Sequence, residues 1–116
     1  MKENSSNSVF SQFSDVIKNL NNREMVLFGA GTISPKTASR IDKYAFIVDN
    51  NPNLWNCKQD NKNIYKPDVI KNNSKKYFLI ICTTSFAEVS QQLIDYGYIP
   101  EKDFIVSPIL NDLRVI

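Results

Sequence analysis

Gly29-Ala30-Gly31 follows directly on the apolar run Glu24–Phe28, and Asp49 lies 20 residues after Gly29. Glycines in such a turn let the chain reverse tightly and let a phosphate approach backbone N–H groups. A helix opening behind the turn adds partial positive charge. A carboxylate at that distance, at the end of the next strand, is where a dinucleotide fold bonds a ribose hydroxyl. Gly29 and Gly31 fill the first two positions of G-x-G-x-x-G, and Ser34 fills the third. The third glycine serves close helix–strand packing, so its replacement leaves phosphate contact open. Asp49 also opens the turn Asp49-Asn50-Asn51-Pro52. Its side chain then either meets a ligand or only organises that turn, and both readings stand.

The candidate binding residues are therefore Gly29, Ala30, Gly31, Thr32 and Ile33 in the first turn, with Asp49 and Asn50 in the second. Thr83, Thr84 and Ser85 end a third apolar run and join them if that strand flanks the first. Ser85 is read first as a helix cap, with Glu88 completing a capping box; Thr83 and Thr84 fit either role. Trp55 is read as an anchor pinning its loop, with an aromatic platform as the alternative.

Catalytic chemistry is thinly represented. The chain has no histidine, which removes Ser-His and Cys-His pairs and histidine metal sites. Cys57 and Cys82 cannot alone form a four-ligand zinc site, and a disulfide between them is not expected. Asp49 and Tyr44 are the nearest titratable candidates, no catalytic residue is assigned, and binding without catalysis is favoured.

Strands and helices must alternate to position these groups. The runs 24–28, 44–48 and 77–83 are short and apolar, and each stops at a turn signal, as buried strands do. Ile64-Tyr65 and Phe104–Val106 are briefer candidates, within a loop spanning 53–66 and near the end of the chain. Ser34-Pro35 predicts a helix over about 35–43, with Ser34 as cap and Ala38 and Ile41 facing inward. Pro67 opens a short helix. Phe86, Val89, Leu93 and Tyr96 predict a helix with one buried face, stopped by Gly97. Val9, Phe10, Phe13, Val16, Ile17 and Leu20 predict an N-terminal helix within 1–22 that covers one side of the sheet, with an arm docking on a second copy as the alternative. Residues 23–116 then form a small α/β, Rossmann-like three-layer domain with a parallel sheet of four to five strands.

Composition sets outer limits. The chain has 116 residues, 42% hydrophobic and 22% charged, enough for one domain with a core. Its net charge of +2 gives no reason to expect nucleic acid as a partner. No apolar stretch is long enough for membrane insertion, and no signal peptide is seen, so a cytoplasmic location is expected. The small size is compatible with a homo-oligomer.

The segments VLFGAGTIS, FIVDNNP, IYKPDVI and YFLIICTTSFAEVSQQLIDYGY resemble the Rossmann-like modules of bacterial surface-polysaccharide enzymes. Such modules accompany FkbM-type methyltransferases, glycosyltransferases and sugar-nucleotide dehydratases. The resemblance covers about residues 24–106. It implies that Gly29, Ala30 and Gly31 form a binding turn and that Asp49 meets a ribose or sugar hydroxyl. The implied ligand is NAD(P) or a nucleotide sugar, and the implied partner is a polysaccharide-biosynthesis enzyme or fused domain. The alternatives are an assembly domain with a vacant site and a fragment of an NAD-dependent oxidoreductase.

Overall fold

A computed structural model of the chain describes residues 20–41 and 43–111. The N-terminal helix expected within 1–22 lies outside the described residues except for its last positions. The elements in chain order are β1 (Glu24–Phe28), α1 (Ile33–Ala38), β2 (Phe46–Val48), β3 (Lys58–Gln59), β4 (Lys62–Tyr65), β5 (Tyr77–Ile81), α2 (Phe86–Asp95) and β6 (Phe104–Val106). Short 3-10 turns open at Pro52, Pro67 and Pro108, where a missing N–H costs nothing.

The strands form one sheet in the order β3-β4-β2-β1-β5-β6. All neighbours are parallel except β3, which runs antiparallel to β4. The chain steps outward from β1 to β2 and β4, then returns to β5 and β6 on the other side. The strand order thus reverses beside β1, at the topological switch point of a Rossmann-like α/β sheet.

Side chains of β1 alternate between two cores. Met25 and Leu27 pack with Ile33, Ile47, Ile64, Phe78, Ile80 and Ile109 on the α1 face. Val26 and Phe28 pack with Val48, Leu79, Ile81, Val89, Leu93 and Tyr98 on the α2 face. Cover on both faces explains why β1 and β5 read as unbroken apolar runs.

At the N-terminal ends of the strands, Arg23 ties three segments together. Its Nη1 donates to Asp103 Oδ1 at 2.8 Å and to the Ser74 carbonyl at 3.2 Å. Its Nη2 reaches the Lys102 carbonyl at 3.0 Å and its Nε the Leu20 carbonyl at 3.0 Å. The guanidinium also lies over the Phe78 ring, 5.2 Å from its centre. Asp103 Oδ2 accepts the Ile99 N–H at 2.8 Å.

Several local expectations are corrected. Residues 58–65 form a hairpin where mostly loop was expected. Asp60 and Asn61 turn it with φ of 54° and 63°, the left-handed pair that a two-residue I′ turn requires. Helix α1 begins at Ile33, so Ser34 is not its cap but lies inside it, 1% exposed. Pro35 sits third in that helix and is tolerated, since first-turn N–H groups have no intrahelical partner. The capping box on α2 does not form: Ser85 makes no side-chain cap bond. Phe86 is 43% exposed rather than inward. The stop at Gly97 is as expected, with φ of 94°. Tyr98 N–H bonds the Leu93 carbonyl at 2.9 Å and Gly97 N–H the Ile94 carbonyl at 3.0 Å, the paired bonds of a Schellman motif. Among the described residues, no helix is long and apolar enough to cross a membrane.

Candidate functional site

The C-terminal ends of β1, β2 and β5 meet at the switch point, where open α/β sheets take ligands. Gly29 leaves β1 with φ of 115°, and a Cβ there would stand 3.0 Å from the Cys82 carbonyl oxygen. Both the backbone angle and the closeness of the end of β5 therefore require glycine. Gly29 N–H continues the sheet to the Val48 carbonyl at 2.8 Å. Gly31 differs: a Cβ added there meets nothing within 4 Å, so packing does not demand glycine at that position.

Asp49 ends β2 and clamps both turns. Its Oδ2 accepts the Ala30 N–H and its Oδ1 the Asn51 N–H, each at 2.8 Å. The turn-organising role is thus real. Each carboxylate oxygen still has acceptor capacity left, so this role does not compete with contact to a hydroxyl. The Trp55 indole N–H donates to the Asp49 carbonyl at 2.7 Å, which makes Trp55 the anchor of its loop. Asn50 and Gln92 of α2 exchange two amide hydrogen bonds, at 2.8 and 3.0 Å.

Between these groups lies a crevice of about 400 Å³. Phe28, Gly29, Asp49, Asn50 and Asn51 line one side, and Thr83, Ser85, Glu88 and Val89 the other. The structure thus brings together Gly29, Asp49, Asn50, Thr83 and Ser85 from the expected set. Ala30 contributes by holding Asp49. Gly31, Thr32 and Thr84 are exposed and outside the crevice lining, while Ile33 is buried in the core beneath α1. Neither Ile33 nor Trp55 fills the crevice. Glu88, Asn51, Val89 and Phe28 were missed; the first was read as a helix-start carboxylate and the next two as turn and core residues. The Thr83 hydroxyl accepts the Ser85 N–H at 3.2 Å, shaping the step from β5 into α2.

Tyr44 is corrected as a neighbour of the site, since it precedes β2 and lies at the opposite end of the sheet from Asp49. Its phenol is pushed up in pKa, chiefly by burial and then by Asp60. It borders a larger surface hollow of about 790 Å³, lined also by residues 20–25 and Lys62. That hollow lies at the N-terminal strand ends, away from the switch point. The crevice lining holds two carboxylates, two hydroxyls and no lysine or arginine. It can accept hydrogen bonds from hydroxyls and amines but contains no nucleophile–base pair. Among the described residues, no group of three or more His, Cys, Asp or Glu is placed to hold a metal ion.

No curated protein matches the chain. Among solved structures, RSP, a Rex-family repressor, matches with a TM-score of 0.55 at 16% identity, over 87% of this chain and 59% of that one. RSP in complex with β-NADH matches at 0.52 and 17% identity, over 87% and 60%. RSP with β-NAD+ and operator DNA matches at 0.51 and 17%, over 80% and 56%. This chain thus spans less than two thirds of the repressor's length, and at such identity the likeness is one of fold. It corrects one expectation: nucleic acid was set aside on net charge, yet a protein of this fold was solved with operator DNA. Net charge averages over the surface and is blind to where charge sits or what lies beside the domain. These structures do not carry the polysaccharide context that the sequence resemblance implied. Residues 21–105 match the family model described as C2185-like, N-terminal, and the chain belongs to that family.

Proposed function

We propose that the chain is a nucleotide-binding domain whose crevice takes the adenosine end of NAD(H), without catalysing a reaction itself. The observation that carries this is the Asp49 carboxylate, fixed by two backbone N–H groups on the wall of an open crevice at the switch point. A ribose diol donates hydrogen bonds, and a preoriented carboxylate is its natural acceptor. The crevice volume suits a nucleoside rather than a whole dinucleotide, so the phosphates and second nucleoside would run out over the exposed Gly31-Thr32 turn. With no cation in the lining and two carboxylates present, a 2′-phosphate is disfavoured, which supports NAD(H) over NADP(H). RSP was solved with β-NADH and β-NAD+, which supports a nicotinamide dinucleotide as the first ligand to test. Its complex with operator DNA makes duplex DNA a partner to test in the presence of that ligand.

Calorimetric titration of the full chain with NADH, NAD+, NADPH and UDP-, CDP- and GDP-sugars tests the reading. NAD(H) is expected to bind, NADPH more weakly, and Asp49→Asn to lose about tenfold in affinity. Asparagine keeps one accepting oxygen, so a thermal melt of the variant separates lost affinity from lost fold. Preference for a nucleotide sugar would keep the crevice but restore the polysaccharide alternative. No binding at millimolar concentration would leave the vacant assembly domain, a reading that the two backbone bonds to Asp49 also accommodate.

A further inference from the structure

We propose that Glu88 determines the base: its carboxylate accepts a hydrogen bond from the exocyclic amine of adenine in the crevice. This rests on the nucleotide reading above and adds to it the residue that selects the ligand.

The placement of Glu88 follows from its neighbours. Gln92 is held against Asn50 by the reciprocal amide pair, so this face of α2 meets the loop that follows β2. Residues four apart share a helix face. Glu88 therefore projects on the same side as Gln92, about 6 Å nearer the strand ends, and it lines the crevice opposite Asp49. Asn50 of that pair also lines the crevice. Val89 and Phe28, both nearly fully buried, give the crevice an apolar floor on which a base can rest. With the ribose diol at Asp49, the base extends across that floor toward α2.

Glu88 is also free to act. The capping box that would have engaged it does not form, and its carboxylate makes no hydrogen bond or ion pair among the described residues. The carboxylate offers only acceptors, so it favours a base edge presenting N–H donors and repels one presenting an acceptor at the same place. Adenine presents its amine there, and removing that amine leaves the carboxylate unanswered.

The test is a thermodynamic cycle on the full chain. Dissociation constants are measured for NAD+ and for nicotinamide purine dinucleotide, which lacks only the adenine amine, with wild type and with Glu88→Ala. Glu88 is exposed, and a thermal melt checks that the variant folds. In wild type, loss of the amine is expected to weaken binding about tenfold; in Glu88→Ala it should change affinity less than twofold. An equal loss in both proteins overturns the proposal. Tighter wild-type binding of nicotinamide guanine dinucleotide than of NAD+ overturns the choice of adenine. If neither NAD+ nor its purine analogue binds, the nucleotide reading falls and the proposal with it. Binding of both with no coupling sinks the Glu88 contact alone.

Discussion

Arg23→Met removes the charge that faces Asp103 while keeping an aliphatic stem of similar length. The pair is nearly buried, with side chains 10% and 7% exposed and 2.8 Å between Nη1 and Oδ1. Removing one member of such a pair leaves an uncompensated carboxylate and costs about 3–5 kcal/mol. Three backbone carbonyls also lose a donor: those of Leu20, Ser74 and Lys102. Those near water recover one, so most of the loss is assigned to Asp103. Against a domain stability of about 5–15 kcal/mol, this is a large fraction. With a urea slope of about 1–2 kcal/mol per molar, the midpoint should fall by roughly 1.5–5 M. Trp55 is the single tryptophan, and its indole is tied to the Asp49 carbonyl, so its fluorescence follows unfolding without a label. The double variant Arg23→Met, Asp103→Leu should regain only part of the loss, because the Ile99 N–H then lacks its acceptor. A loss below about 1 kcal/mol in Arg23→Met, the scale of an exposed pair, would refute the buried clamp.

Other outcomes follow from single contacts. Gly29→Ala should cost about 1–3 kcal/mol, from its positive φ and the clash with the Cys82 carbonyl, whereas Gly31→Ala should melt within a degree or two of wild type. Ser34→Ala should leave stability unchanged or raise it by about 1 kcal/mol, because the buried Ser34 hydroxyl has no hydrogen-bond partner among the described residues; a loss above that scale in a melt would mean the hydroxyl has one. The Cys82 thiol is pushed up to about 12 by burial, against a smaller opposing effect of the Thr37 hydroxyl. Iodoacetamide at mildly alkaline pH should then label exposed Cys57 alone in the native chain and both cysteines after denaturation. For the same reason folding favours the protonated thiol: its contribution is full below the unfolded value and fades as pH climbs toward 12.

The parts legible in the sequence were those with one dominant physical cause. Buried parallel strands show as apolar runs, and β1, β5 and the glycine turn between β1 and α1 could be read from composition and punctuation. Asp49 was legible because strand length and turn chemistry fix where it falls. The misreadings arose where two local signals competed. Ser34-Pro35 carries the cap-then-proline signature, yet Ile33 is drawn into the core and starts the helix earlier. Ser85 and Glu88 have capping-box spacing, but the Thr83 hydroxyl already takes the Ser85 N–H. The β3–β4 hairpin was hidden because its strands are polar, although Asp60-Asn61 was a turn signal available to be read. The pairing of Asn50 with Gln92 joins residues 42 apart in sequence, and no local pattern encodes it.

The position of β1 also governs how the molecule can be made. Among the described residues it is the first strand in the chain, it lies in the interior of the sheet, and its partner on one side, β5, begins at Tyr77 opposite Glu24. At typical synthesis rates of about 5–20 residues per second, the β5 side of β1 waits several seconds for its neighbour. During that interval Val26, Leu27 and Phe28 have no complete core to enter, and one row of backbone hydrogen-bonding groups is open to other chains. The nascent domain therefore depends on timing as well as on packing. Slowing translation between residues 49 and 77 should lengthen that vulnerable interval and raise the fraction lost to aggregation.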